Sequence, residues 1–285
     1  MQIIPAEQLP PALIQNFLSP HEKMCVQLSS YVRKNRGDIY AIKDNDEEIC
    51  GVFYAKGTLL HCIPSFSAHA AELTQVLGNF LLTHPVKCVN GELTVSESLK
   101  ALVQSTQASV PPAGHQPQTN RYKLMCLSPA DQLTPPPEPL QPGDEIRRMA
   151  NPEHDAEIIF DLQKHYIMEE VAPAGKNPGD LEINVILKQI LKNQICLTLF
   201  SDGEPVAKAN SNAIGWNCVQ LGGIYTNPLY RRNGYACQLV YNLCSRILRT
   251  GRTVTLYVKE KNTPALELYK KLRFKECGSY SITYF

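Results

Sequence analysis

The chain has 285 residues, 44% of them hydrophobic and 19% charged, a globular composition that excludes the disordered, collagenous and coiled-coil classes. Lysine and arginine number 28 against 27 acids, so the net charge of +1 gives no general electrostatic reason to expect nucleic acid or an anionic membrane as partner. Any anion site must be local.

The opening MQIIPAEQLPPALIQNF has no basic segment, and prolines interrupt it before an apolar run reaches signal-peptide length. No later stretch approaches the ~20 apolar residues of a membrane span, so the expectation is a soluble, cytoplasmic protein. In the first half, periodicity predicts helices over 12–18 and 23–33, strands over 38–43, 49–55 and 58–63, and a helix over 68–82. A proline-bearing loop over 110–118 and a strand over 122–127 follow. Residues 134–143, TPPPEPLQPG, contain five prolines, which remove backbone donors and favour polyproline II. This semi-stiff connector separates an N-terminal α/β domain, 1–133, from a second domain, 144–285.

The second domain reads as a strand over 145–149, helices over 155–170 and 181–192, and strands over 195–200, 206–213 and 218–226. It closes with a helix over 234–249, a strand over 254–258, a helix over 263–272 and a strand within 278–284. Mixed helices and hairpin strands indicate the α+β class, or α/β with a partly antiparallel mixed sheet. Both halves share a helix, hairpin, strand, helix order, as a diverged duplication would.

The richest segment is 221–240, LGGIYTNPLYRRNGYACQLV. A strand runs into Asn227-Pro228, then into Arg231, Arg232, Asn233 and Gly234 directly before a helical pattern. The first backbone N–H groups of such a helix lack intrahelical partners and sit at the positive end of its dipole, which suits a phosphate or diphosphate. Gly234 permits close approach of a ligand, Ala236 is small, and Arg231 and Arg232 add charge. A second block, 253–274, holds an alternating strand, Asn262, a helix start at Thr263-Pro264 taken as N-cap and first helical position, and Tyr269 on an otherwise apolar helix face.

Together the two blocks resemble the GCN5-related N-acetyltransferase family, with its R-x-x-G-x-A loop and its N-x-x-A-x-x-L-Y helix, over about 144–285. The resemblance implies tandem acetyltransferase-like domains, each a twisted, mostly antiparallel sheet flanked by helices. It implies acetyl-CoA as cosubstrate, with Arg231, Gly234 and Ala236 at the diphosphate and Arg232, Asn233 and Tyr235 supplying further N–H groups. The edge Ile224, Tyr225 and Thr226 would pair with the pantetheine arm, Asn262 would touch that arm, and Tyr269 would protonate the departing thiolate. The activity implied is direct transfer of an acetyl group to a primary amine, with a non-catalytic acyl-CoA sensor as the alternative.

The chain departs from the family pattern in two places. Tyr257 stands where some members carry a glutamate base, so Glu169 and Glu170, which border the acceptor cleft in the family, become the candidate bases. Arg273 stands where the family has glycine, so the last helix must end without glycine or accept a left-handed residue at roughly 1 kcal/mol. In the first half, Gln75 to Gly78 only faintly echoes the diphosphate loop and reads as helix core; if the halves are related, that domain is a degenerate acetyltransferase-like unit. The ten cysteines form no CxxC pair and none of the seven histidines stands at zinc spacing, so buried reduced thiols and no metal site are expected.

Overall fold

The structure, a computed structural model, describes residues 1–106, 116–171 and 178–285. Most of the predicted loop 110–118 therefore lies outside the described residues. Among the described residues, eleven strands form one mixed sheet: β1 (Gln2–Pro5), β2 (Ile39–Lys43), β3 (Ile49–Cys62), β4 (Val86–Glu92), β5 (Gln118–Leu127), β6 (Asp144–Met149), β7 (Cys196–Ser201), β8 (Glu204–Ile214), β9 (Cys218–Thr226), β10 (Thr253–Lys259) and β11 (Lys275–Tyr284). The helices are α1 (Pro11–Leu18), α2 (Glu22–Arg33), α3 (Ala70–Thr83), α4 (Leu93–Thr106), α5 (His154–Tyr166), α6 (Asp180–Asn193), α7 (Tyr235–Leu248) and α8 (Thr263–Lys271).

The spatial order is β1-β2-β3-β4-β11-β5-β10-β9-β8-β7-β6. The last strand of each half thus crosses into the other. β5 lies between β10 and β11, while β11 lies between β4 and β5. This exchange explains the path of the proline-rich connector. From β5 to β6 the sheet has five strand steps, about 24 Å at about 4.8 Å per step, and ten polyproline-like residues reach about 31 Å. The connector is also held down: Leu133 and Leu140 pack on the apolar cluster under α7 and α8, and the Glu138 carbonyl accepts from Gln238 Nε2.

Alternation along β10 places Val254, Leu256 and Val258 in that cluster, with Leu239, Leu243, Leu266 and Leu272 from the two helices. The opposite face of β10 meets α2, where the Tyr257 hydroxyl donates to the Met24 carbonyl at 3.1 Å. Helix α2 further joins the halves through Glu22, which is 1% exposed and accepts from the Trp216 and Asn217 N–H groups at 2.6 and 2.7 Å. These two charge-assisted bonds offset much of the cost of desolvating the carboxylate.

Several elements differ from their sequence expectation. The strands predicted over 49–55 and 58–63 are one strand, β3, which turns at Gly57 (φ +67°) from antiparallel pairing with β2 to parallel pairing with β4. The helix predicted over 155–170 ends at Tyr166, and a π-helical turn, Ile167–Val171, follows. β1, β4 and α4 were not anticipated. Arg273 adopts the left-handed conformation (φ +71°) and lets Phe274 N–H bond back to the Tyr269 carbonyl, so α8 closes as a glycine-ended helix would. Gln75 to Gly78 lie inside α3, with Leu77 and Gly78 buried. Seven of the ten thiols are buried, and Cys50, Cys237 and Cys277 are half-exposed. Among the described residues, no helix is long and apolar enough to cross a membrane, and no three potential metal ligands gather.

Candidate active site

The site begins where β9 and β10 part. The two strands pair in parallel from Cys218–Thr253 to Leu221–Leu256 and no further. Beyond that point β10 continues along β5, with Lys259 opposite Tyr122, while β9 stays with β8. A wedge therefore opens beside Ile224, Tyr225 and Thr226. Its β9 side holds a bulge, since three residues of β8, from Lys208 to Asn210, face four of β9, from Tyr225 to Gly222.

After β9, Asn227 caps a single 3-10 turn, Pro228–Tyr230, and accepts from the Leu229 N–H. Arg232 (φ +70°) and Gly234 (φ +76°) then adopt left-handed conformations on either side of Asn233. Left-handed residues in such a loop help turn successive N–H groups toward one concave side, the backbone arrangement of an anion nest. Among the described residues, the N–H groups of Arg232 through Cys237 have no hydrogen-bond partner, and the first return bond of α7 is Gln238 N–H to the Gly234 carbonyl. A Cβ built on Gly234 would meet nothing within 4 Å, so the loop is open at that residue. Tyr235 fixes the helix start from behind, its hydroxyl donating to Asp144 Oδ1 at 3.2 Å. Unpartnered donors, an open approach and an unpaired strand edge fit the diphosphate and pantetheine of acetyl-CoA.

The two arginines differ. Arg232 is exposed and has no acidic partner among the described residues. The Arg231 Nη2 donates to both Glu169 oxygens at 2.9 and 2.7 Å, its Nε donates to the Thr226 carbonyl, and its guanidinium lies 5.7 Å from the Tyr225 ring centroid. Glu170 pairs with Lys259 at 3.0 Å. The π-helical turn is thus tied to both sides of the wedge, at the loop after β9 and at the end of β10.

At α8, Asn262 rather than Thr263 is the N-cap, its Oδ1 accepting from Ala265 N–H at 3.2 Å. That leaves the Asn262 Nδ2 as the free donor. Tyr269 is 6% exposed and packs near Phe274, and its hydroxyl has no partner among the described residues. Burial pushes its pKa up, with Tyr166, Cys244 and Glu170 adding to the shift, so the phenol keeps its proton at neutral pH. Tyr257 stacks on Tyr280, with centroids 4.0 Å apart. Burial pushes its pKa well up, which makes it no base.

Residues 206–282 match the family model described as FR47-like protein. Along nearly the whole chain the structure is similar to a Drosophila protein solved by X-ray crystallography, at 16% identity over 99% of this chain and 98% of that one, with a TM-score of 0.68. It is also similar to a GCN5-related N-acetyltransferase from Sphaerobacter thermophilus, at 17% identity over 96% and 93% of the two chains (TM-score 0.58). A tandem GNAT protein from the clavulanic acid biosynthesis pathway aligns at 10% identity over 99% and 97% (TM-score 0.56). The chain has the tandem GCN5-related N-acetyltransferase fold. No curated protein matches it in sequence.

Within this acetyltransferase fold, the structure adds a group that the strand pattern hid. Lys208 on β8 is fully buried, yet its Nζ has no acidic partner within ion-pair distance among the described residues. It donates to Asn210 Oδ1 and to the Gly223 carbonyl, both at 2.9 Å, and lies 5.2 Å from the Tyr166 ring centroid. Desolvation lowers its pKa to about 8. In sequence, Lys208 and Asn210 alternate with Ala207 and Ala209, a pattern that does not tell which strand face is covered. In the fold α5 covers that face.

Proposed function

We propose that the protein is an acyl-CoA-dependent N-acyltransferase that moves an acetyl group from acetyl-CoA to a primary amine by direct attack. The observation that carries this reading is the run of N–H groups from Arg232 through Cys237 without partners among the described residues, in a loop that is open at Gly234 and follows the β9 edge of the β9–β10 wedge. Acetyl-CoA, when bound, supplies the thioester. Arg231, Arg232 and the loop N–H groups hold the diphosphate, the β9 edge at Ile224, Tyr225 and Thr226 orients the arm, and Asn262 Nδ2 donates to it. Donors on that edge meet the charge developing on the acyl oxygen, and Tyr269 gives its proton to sulfur as the C–N bond forms and the C–S bond breaks. Glu169 and Glu170 border the same opening and are the carboxylates available to take the amine proton.

The N-terminal half is proposed as a degenerate acetyltransferase-like unit. It repeats the antiparallel and then parallel strand order through β1, β2, β3 and β4, and its echo of the diphosphate loop is inside a helix.

The test is a thiol-release assay with acetyl-CoA and a panel of amines. Amine-dependent release is expected. Tight CoA binding without release across the panel would instead support the sensor reading, to which the ion-paired state of Glu169 and Glu170 lends some weight.

Glu169 competes with the diphosphate for Arg231 in this scheme. Glu169→Gln is therefore expected to tighten acetyl-CoA binding about two- to five-fold, the worth of a partly exposed ion pair, when titrated without amine. An unchanged constant would mean that Arg231 does not reach the diphosphate.

A further inference from the structure

We propose that Lys208 is a positioning residue which holds the β9 bulge in the shape that receives the acyl-CoA arm. This inference rests on the acyltransferase reading above. The bulge is a departure from regular pairing, and a regular β8–β9 ladder would carry β9 straight past Leu221. Three observations assign its maintenance to Lys208. The Nζ bonds directly to the Gly223 carbonyl, the bulge's own peptide, at 2.9 Å. Gly223 has φ +59°, and a Cβ there would lie 2.0 Å from Asn210 Oδ1 and 2.8 Å from Lys208 Nζ, so these two heads fill the space inside the bulge. Asn210 Oδ1 and the Tyr166 ring take the remaining sides of the ammonium, so the group is satisfied without any carboxylate.

The consequence for the site follows from peptide geometry. In a trans peptide the carbonyl and the following N–H point in opposite directions. With the Gly223 carbonyl anchored on Lys208, the Ile224 N–H of the same peptide points away from Lys208, as one of the β9 edge donors placed above at the acyl oxygen. A neutral amine still carries two N–H groups, enough for both oxygens, so the arrangement depends on the donors more than on the charge.

An ammonium is an expensive group to bury, and a methionine of similar length would remove that cost. Packing alone therefore does not account for lysine here. The experiment is Lys208→Met in the full chain, measuring acetyl-CoA affinity by calorimetric titration, kcat by thiol release, and the thermal midpoint. The expected result is a dissociation constant raised at least ten-fold and a kcat lowered at least ten-fold, with the midpoint unchanged or raised. Unchanged affinity and turnover would overturn the inference, as would a lowered midpoint with wild-type affinity, which would assign Lys208 to packing alone. Wild-type protein that binds no CoA would overturn the acyltransferase reading, and this inference with it. Wild-type binding with an unaffected variant would overturn only this one. If Lys208→Met does not fold, Gly223→Ala perturbs the same peptide from β9 and is scored by the same constants.

Discussion

Gly234→Glu is expected to raise the acetyl-CoA dissociation constant on the order of a hundred-fold. Gly234 precedes the first residue of α7 with φ +76°, and its missing Cβ faces open space. A glutamate there pays for a left-handed backbone, roughly 1 kcal/mol. It also sets a carboxylate against the diphosphate, where unit charges about 4 Å apart repel by roughly 1 to 4 kcal/mol between bulk water and a protein surface. Because the site of substitution is exposed and touches nothing, the fold should survive. The titration that gives the constant should be paired with circular dichroism. Wild-type affinity in a folded variant would remove the diphosphate from this loop and leave the cofactor assignment without its main support.

Tyr269→Phe is expected to lower kcat by about a hundred- to ten-thousand-fold, the range for loss of a general acid, with little change in acetyl-CoA affinity. The hydroxyl has no partner among the described residues, so its removal leaves no orphaned group there, and the ring keeps its packing in the core under α8. The sign of the pH effect follows from burial. Its pKa is raised above the ordinary tyrosine value, so the acid form persists through neutral and moderately alkaline pH, and turnover should show no loss from this group below about pH 10. Full activity in the variant would mean that sulfur takes its proton elsewhere. An equal loss of kcat and kcat/KM, with unchanged binding, is the pattern of an interaction made only as the reaction proceeds.

How much of this site could be read in advance depended on whether a residue's role is local. The loop from Arg231 to Ala236 is contiguous, and its chemistry comes from helix-end donors, glycine freedom and small side chains, all properties of neighbouring residues. As a strand, a loop and a helix start it was legible, and so was the short helix that follows Asn262 and carries Tyr269. Arg231 was legible as a cation but not as the partner of Glu169, because the π-helical turn that brings them together lies 62 residues away in sequence. Lys208 was hidden for a related reason. Alternation tells the two faces of a strand apart and is silent on which face a helix will cover, so a buried lysine looks like a solvated one. The single strand β3 read as two because Gly57 resembles a turn, whereas tertiary pairing on both sides of it keeps the chain extended.

What the sequence determined by itself is the kind of each strand and α-helix in the second half and the glycine-ended loop that opens α7, since periodicity, proline and glycine act over a few residues. Only the tertiary structure decided that the halves share one sheet by exchanging β5 and β11, that Glu169 and Glu170 bind the two sides of the wedge, and that Lys208 sits beneath the bulge. Strand order and the covering of faces are set by contacts between residues far apart in the chain, and their free energy is shared over a whole sheet. No short stretch of sequence carries that sum.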